Sequence, residues 1–283
     1  MDFSHELDEG LSHSLCAELT VWSDSFSSLA ESASSWLGEA VMESANGIGN
    51  LCVSPMSEVS VQLRPYSEES MEWVAREIEK RPASVSVEVG KVAHGEVVTS
   101  SPVVLTAKFD ERLTEYVKLV YEVSDADLLS DGTGKLAQNS MLRSIQNICA
   151  THNVVFAHFS YANFGGRTSL ERHIRGRAGS PTFNTPLWRD SLRGYSWIMV
   201  IPSEVVSRLG GVSEIERSGA FYEVREMPNG SVWMRATEDF ADYGEDSVRA
   251  VWSLLKDVLI SVVPARGSVY PGDPPTCMTV FPE

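Results

Sequence analysis

The chain predicts an α+β fold: a mixed or antiparallel sheet with helices packed mainly on one face. Three observations carry this. Runs of alternating apolar and polar residues, 85–89 among them, are interleaved with runs whose apolar residues recur every three or four positions. Two alternating runs, 220–227 and 231–237, flank Asn229-Gly230, the residue pair that suits a tight hairpin. Hairpins beside helices favour such a sheet over a doubly wound parallel one, which needs a crossover at every step. Two similar strand–helix–strand runs leave open an arrangement in two ferredoxin-like halves, 56–162 and 192–262.

Taken in order, residues 1–55 read as an acidic helical N-terminal segment and 56–283 as the α+β domain. Residues 1–20 are polar and acidic with little periodicity. Over 24–43, Phe26, Leu29, Ala33, Trp36, Leu37, Ala40 and Val41 fall on one stripe and predict a helix. Asn46-Gly47-Ile48-Gly49-Asn50 reads as a loop; it lacks the Lys-Ser/Thr pair that a phosphate-binding loop requires. Residues 58–64 alternate as a strand. Ser67 then caps a helix with Met71, Val74, Ala75 and Ile78 inward, stopped by Pro82. Ser70, three residues after the cap, is a weaker partner than an acid would be. Strands follow at 85–89, 103–109 and 116–123, the last two joined by a turn at Asp110-Glu111-Arg112. The 116–123 run also fits helical spacing, and its Val and Tyr content favours strand.

Leu136, Met141, Leu142, Ile145, Ile148 and Cys149 predict a helix over 134–152. Residues 154–161 are apolar on both faces, as a central strand is. A long irregular stretch, 163–193, is broken by glycines and prolines. Residues 195–202 form a strand ended by Pro202, Ser203 caps a helix, and Gly210-Gly211 terminates it. A short helix over 212–218 precedes the hairpin. Asp246 or Ser247 caps a last helix carrying Val248, Val251, Trp252, Leu255 and Leu259, before a Pro-rich tail, 264–283.

The charge is uneven. Residues 1–80 hold 15 acidic and 3 basic side chains, a net of −12 out of the −16 of all 283 residues. Such a surface repels nucleic acid and attracts basic partners. The start has no basic stretch followed by an apolar one, so no secretory signal is expected. No run of 18 apolar residues is present, so no membrane partner is expected either. A cytoplasmic location is the expectation. The cysteines, Cys16, Cys52, Cys149 and Cys277, are then free thiols, with a Cys16–Cys52 bridge as the alternative.

Reactive constellations fail on pattern. His152 and His158 flank one strand without further ligands, and His158 reads as a buried strand histidine. Ser196 lacks the second glycine of a nucleophile elbow and sits inside a strand. Cys149 lies on an apolar helix face. Asp125, Asp127 and Asp131 miss the ligand that a calcium loop needs at Leu129. Glu238, Asp239, Asp242, Glu245 and Asp246 suit the positive end of the last helix. No catalytic residue, metal or cofactor is expected. The one basic stretch holds Arg167, Arg172, Arg175, Arg177, Arg189 and Arg193 against Glu171 and Asp190. It either pairs with the acidic N-terminal region, or Arg167, Arg172, Arg175 and Arg177 form an anion pocket within 167–193. The pocket would make the chain an enzyme or a ligand-binding protein.

Residues 192–259 add a resemblance. Gly194-Tyr195-Ser196-Trp197, the helix ending Arg208-Leu209-Gly210-Gly211, and the run from Glu223 through Asn229-Gly230 to Glu238 resemble the C-terminal part of type VI immunity-like proteins. These are bacterial immunity proteins that accompany polymorphic toxins. The resemblance covers about a quarter of the chain and rests on structural punctuation. It implies a non-catalytic cytoplasmic protein, without cofactor, that binds and neutralises a cognate protein toxin by occlusion. Charge complementarity gives that toxin a basic surface and places the contact on Glu68, Glu69, Glu72, Trp73 and Glu77. Exposed aromatics, from Trp22, Trp36, Tyr66 and Trp73, would serve as anchors.

Overall fold

The computed structural model describes residues 14–48, 51–57, 60–61, 64–65, 67–93, 96–124, 133–161, 166–172, 174 and 176–260. Their strands are β1 (Ser14–Trp22), β2 (Leu51–Ser57), β3 (Ser60–Val61), β4 (Arg64–Pro65), β5 (Ser84–Ala93), β6 (Glu96–Phe109), β7 (Tyr116–Ser124), β8 (Val154–Tyr161), β9 (Ile198–Ile201), β10 (Glu223–Glu226) and β11 (Val232–Arg235). They join in one sheet of order β10-β11-β9-β8-β1-β7-β6-β5-β2-β3, with β4 on β2. Every ladder is antiparallel. Strand β8, from 56–162, pairs with β9, from 192–262, so the sheet runs unbroken across the two stretches.

Strand β1 corrects the reading of residues 14–20; residues 1–13 lie outside the described residues. It lies between β7 and β8, pairing with both along nearly its whole length. Leu15, Ala17, Leu19 and Val21 alternate toward the core, and Cys16, Glu18 and Thr20 point to the other face. All seven are nearly inaccessible, so the polar members are as buried as the apolar ones. Acidic composition hid the alternation.

One face of the sheet carries the helices. Helix α1 (Phe26–Ile48) lies across β1, β7, β6 and β5 and packs on α2 (Glu68–Glu79) and α3 (Thr133–Thr151). Its expected stripe, Leu29 to Val41, is buried, with Trp36 set edge-on against Tyr121 at 6.4 Å. Trp36 is therefore core and not an exposed anchor. In α2, Ser70 completes a capping box: Ser67 Oγ accepts from the Ser70 N–H at 3.1 Å, and Ser70 Oγ accepts from the Ser67 N–H at 2.9 Å. A hydroxyl thus does here what an acid usually does. Leu136 corrects the stripe of α3: it is 51% exposed, whereas Met141, Ile145, Ile148 and Cys149 are buried. Residues 116–124 are strand, as their Val and Tyr content favours.

The loop reading of 46–50 gives way, since α1 extends through Ile48 and β2 starts at Leu51. Of the 58–64 strand, only residues 60–61 and Arg64 are described, as parts of β3 and β4. The other face of the sheet is crossed by residues 166–197, which contain α4 (Ser169–Arg172) and α5 (Pro181–Asn184). Trp197 then enters the core, its Nε1 donating to the Thr237 carbonyl at 3.1 Å, and packs against Phe159 and Phe240. Pro202 caps α6 (Ser203–Arg208), one residue earlier than expected. Gly210 and Gly211, at φ 89° and 93°, end it, and α7 (Val212–Arg217) follows. Gly244, not Asp246 or Ser247, caps α8 (Glu245–Leu255). Cys52, Cys277 and the tail 264–283 carry no described side chains; Cys16 and Cys149 are buried thiols.

Leu19→Ala should lower the unfolding free energy by about 2–5 kcal/mol, because the cavity opens between two long ladders. Leu136→Ala should change it by less than about 0.5 kcal/mol. Denaturant titration of both variants measures this.

Candidate functional site

The two faces of the sheet carry opposite chemistry. On the helical side, α1 exposes Glu31 and Glu39, and α2 exposes Glu68, Glu69, Glu72 and Glu79. Between the helices runs a groove of about 720 Å³ lined by Gly38, Glu39, Met42, Glu43, Glu68 and Met71, among others. Met42 is 46% exposed there. Glu43 is held by Arg143 Nε at 2.7 Å. Of the five residues expected to meet a partner, Glu68, Glu69 and Glu72 stand outward. Glu77 is half-buried and paired with Lys80 at 2.5 Å, and Trp73 is half-buried against the core. Trp22 is half-buried beside Trp188, with ring centroids 6.1 Å apart. Tyr66 lies outside the described residues. The apolar element of this face is thus Met42 with Met71, which no aromatic pattern signals.

On the opposite face, Glu18 of β1 stands in register with His158 of β8, and Lys118 of β7 is in register with Thr20. Lys118 Nζ lies 3.3 Å from Glu18 Oε1, and Arg193 Nη1 lies 3.5 Å from the same oxygen. Burial alone would raise the Glu18 pKa, but Lys118 and Arg193 overcome it and hold the carboxyl at about 2. Burial pulls Lys118 below its ordinary value against the attraction of Glu18.

Arg193 is anchored from its other side by Glu171. Nε donates to Oε1 at 3.0 Å and Nη2 to Oε2 at 2.9 Å, a bidentate fork. Glu171 also accepts from Asn184 Nδ2 at 2.8 Å and from the Thr168 N–H at 3.0 Å, while Thr168 Oγ1 accepts from the Glu171 N–H at 3.1 Å. Thr168-Ser169-Leu170-Glu171 is thus a capping box whose acid does double duty. Gly166, at φ 73°, gives its carbonyl to Arg193 Nη2 at 2.5 Å. A Cβ there would stand 2.6 Å from Glu18 Oε2, so both its conformation and its closeness to the carboxylate require glycine.

This network answers part of the question the basic stretch posed. Arg193 pairs internally with an N-terminal acid, and Arg189 pairs with Glu204 at 3.1 Å while lying over Trp188. Among the described residues Arg167 has no ion-pair partner; it lines an open cleft of about 710 Å³ together with Lys108, Arg112 and Lys118. Arg177 lines an adjoining hollow of about 450 Å³, its guanidinium 5.2 Å from the Phe183 ring centre. Of the four residues expected to form an anion pocket, Arg167 and Arg177 therefore line two neighbouring clefts that share Arg112, Ser180 and Thr182. The Arg175 residue and the Arg172 side chain lie outside the described residues. Lys108, Arg112 and Lys118 went unread because they arrive from β6, β7 and the turn between them, some fifty residues away.

Of the groups considered for catalysis, Ser196 and Asp239 are held by hydrogen bonds, whereas both ring nitrogens of His158 are buried without a hydrogen-bond partner among the described residues. His158 is buried, and its desolvation pushes the pKa down to about 4, so the ring is neutral at pH 7. Ser196 Oγ donates to the Ile198 carbonyl at 2.6 Å and accepts from the Phe159 N–H at 2.8 Å, joining β8 to the start of β9. Burial raises the Cys149 thiol far above its ordinary pKa. Asp239 is bound by Gln138 Nε2 at 2.8 Å and Lys135 at 3.2 Å. Residues 125–132 are not among those described, and among the described residues no group of His, Cys, Asp and Glu could hold a metal.

Two of these shifts set the acid stability in the same direction. His158 binds a proton at about 4 when folded and 6.5 when unfolded, so stability falls as pH drops through that interval. Glu18, at about 2 folded and 4.5 unfolded, takes over below 4.5. Each is worth about 3 kcal/mol in full. Denaturant midpoints should therefore decline from pH 7 downward. His158→Phe should flatten the profile between pH 6.5 and 4 and also shrink the lower limb, because a protonated His158 helps hold the Glu18 carboxyl down. Arg193→Met should cost about 3–5 kcal/mol at pH 7 by stranding Glu171 and Glu18.

No family model matches the chain, and no curated protein matches it. Among solved structures, the fold is similar to that of the Pseudomonas aeruginosa T6SS protein PA0821, with a TM-score of 0.58 at 11% identity. The match spans 94% of this chain and 78% of that one, and it establishes a shared fold over nearly all of the chain described here.

Proposed function

We propose that this chain is a non-catalytic binding protein associated with a T6SS, acting in the cytoplasm as an immunity protein. It neutralises a cognate toxin by covering a basic surface with the α1–α2 face. The observation that carries this reading is the set of exposed carboxylates Glu31, Glu39, Glu68, Glu69, Glu72 and Glu79 on two adjacent helices. Support also comes from the Met42–Met71 groove between them, an apolar anchor inside a charged rim, and from the fold shared with a T6SS protein. No described helix is long and apolar enough to cross a membrane. The carboxylates steer and orient the encounter, and the groove holds the complex once formed.

Mixing the chain with the product of the adjacent reading frame should give a complex on size exclusion. Its association rate should fall with salt. Glu68→Lys, Glu69→Lys and Glu72→Lys together should slow association by about tenfold with circular dichroism unchanged. Met42→Asp should raise the dissociation rate instead. Absence of a complex, or a complex indifferent to all four changes, removes the reading.

A further inference from the structure

Lys108 and Lys118 stand directly opposite each other on β6 and β7. Like charges so placed repel, and a fold without use for them would put a neutral or acidic residue at one position. Both face a cleft of about 710 Å³ that Arg112 and Arg167 also line, with the hydroxyl residues Ser180 and Thr182. Among the described residues Asp110 is its one acid, and Asp110 is already engaged by the Arg112 N–H at 2.8 Å, Arg112 Nε at 3.7 Å and Thr182 Oγ1 at 3.3 Å. Glu18 divides its charge between Lys118 and Arg193. Among the described residues, neither Lys108 nor Arg167 has an ion-pair partner. Four cationic side chains therefore line one open cleft in a chain of net −16, two of them already paired with Glu18 and Asp110.

We infer that this cleft binds a phosphate-bearing small molecule of nucleotide size. Lys108, Lys118 and Arg167 take the phosphate oxygens, and the ligand's charge relieves the lysine opposition. Arg, with its planar fork, and two lysines as point charges match a multiply charged phosphate better than a single carboxylate. The volume suits a nucleotide, and the adjoining hollow at Phe183, Pro186 and Arg177 offers a ring and a cation to a base. The site lies across the sheet from the acidic helices, so it is independent of toxin binding.

Calorimetry and thermal melting of the full chain with ADP, pyrophosphate, inorganic phosphate and adenosine test this. ADP should bind saturably at one site and raise the melting temperature, more weakly as salt rises, and adenosine should do neither. Lys108→Gln and Arg167→Gln should each weaken ADP binding by about tenfold. Unliganded Lys108→Gln should melt no lower than the parent, because it removes a repulsion, so its loss of binding cannot be ascribed to unfolding. Glu69→Gln on the far face should leave binding unchanged. No binding of any probe at millimolar concentration overturns the proposal, as does ADP binding unaltered in both cleft variants. Binding of an RNA oligonucleotide that ADP fails to displace overturns it equally.

Discussion

Glu18 is a carboxylate buried in the middle of a sheet, and such a group persists in ionised form only where cations reach it. Two do, from opposite directions: Lys118 from the neighbouring strand and Arg193 from the segment that crosses the polar face. Arg193 in turn is gripped by Glu171, which organises its own helix turn and fixes Asn184. The charge chain therefore ties Gly166, Glu171 and Arg193 to the sheet. It also decides where the cleft lies, since Lys118 forms both the end of this network and part of the cleft lining.

The same arrangement separates two electrostatic regimes. Apolar alternation of β1 and β7 sends one set of side chains under α1 and the other into the polar network. Acids of α1 and α2 project into solvent on the helical side, while Lys108, Arg112 and Arg167 project on the other. A net charge alone describes neither face. Salt in the solvent screens each set of exposed charges from the other, so each surface keeps its own sign toward what approaches it.

Most elements were legible because their apolar spacing agreed with their burial. The stripes of α1 and α2, the Asn229-Gly230 hairpin and the Gly210-Gly211 stop formed where local pattern placed them, and that of α8 did so as far as Leu255, leaving Leu259 beyond the helix. Strand β1 was not read, although Leu15, Ala17, Leu19 and Val21 alternate, because Glu18 looked like one more solvated acid. Only its partners, one a hundred residues on and one a hundred and seventy-five, make it a core residue. The site divided the same way. Arg167 and Arg177 were visible as part of a basic run, but a run cannot say which of its members turns inward. Arg193 went to the network and Arg189 to Trp188. The lysines that complete the cleft carried no signal, because their opposition exists only in the register of β6 against β7.

The central place of β1 has a consequence for how the protein is made. Strand β1 pairs with β7 and β8, whose residues are synthesised about a hundred or more positions later. At ordinary elongation rates that is roughly 5–20 s during which Leu15, Leu19 and Val21 have no sheet to enter. The nascent chain must therefore shelter an unmatched apolar strand until its middle third emerges. Its acidic neighbours, which keep such a segment dispersed in water, serve the molecule before it has any shape at all.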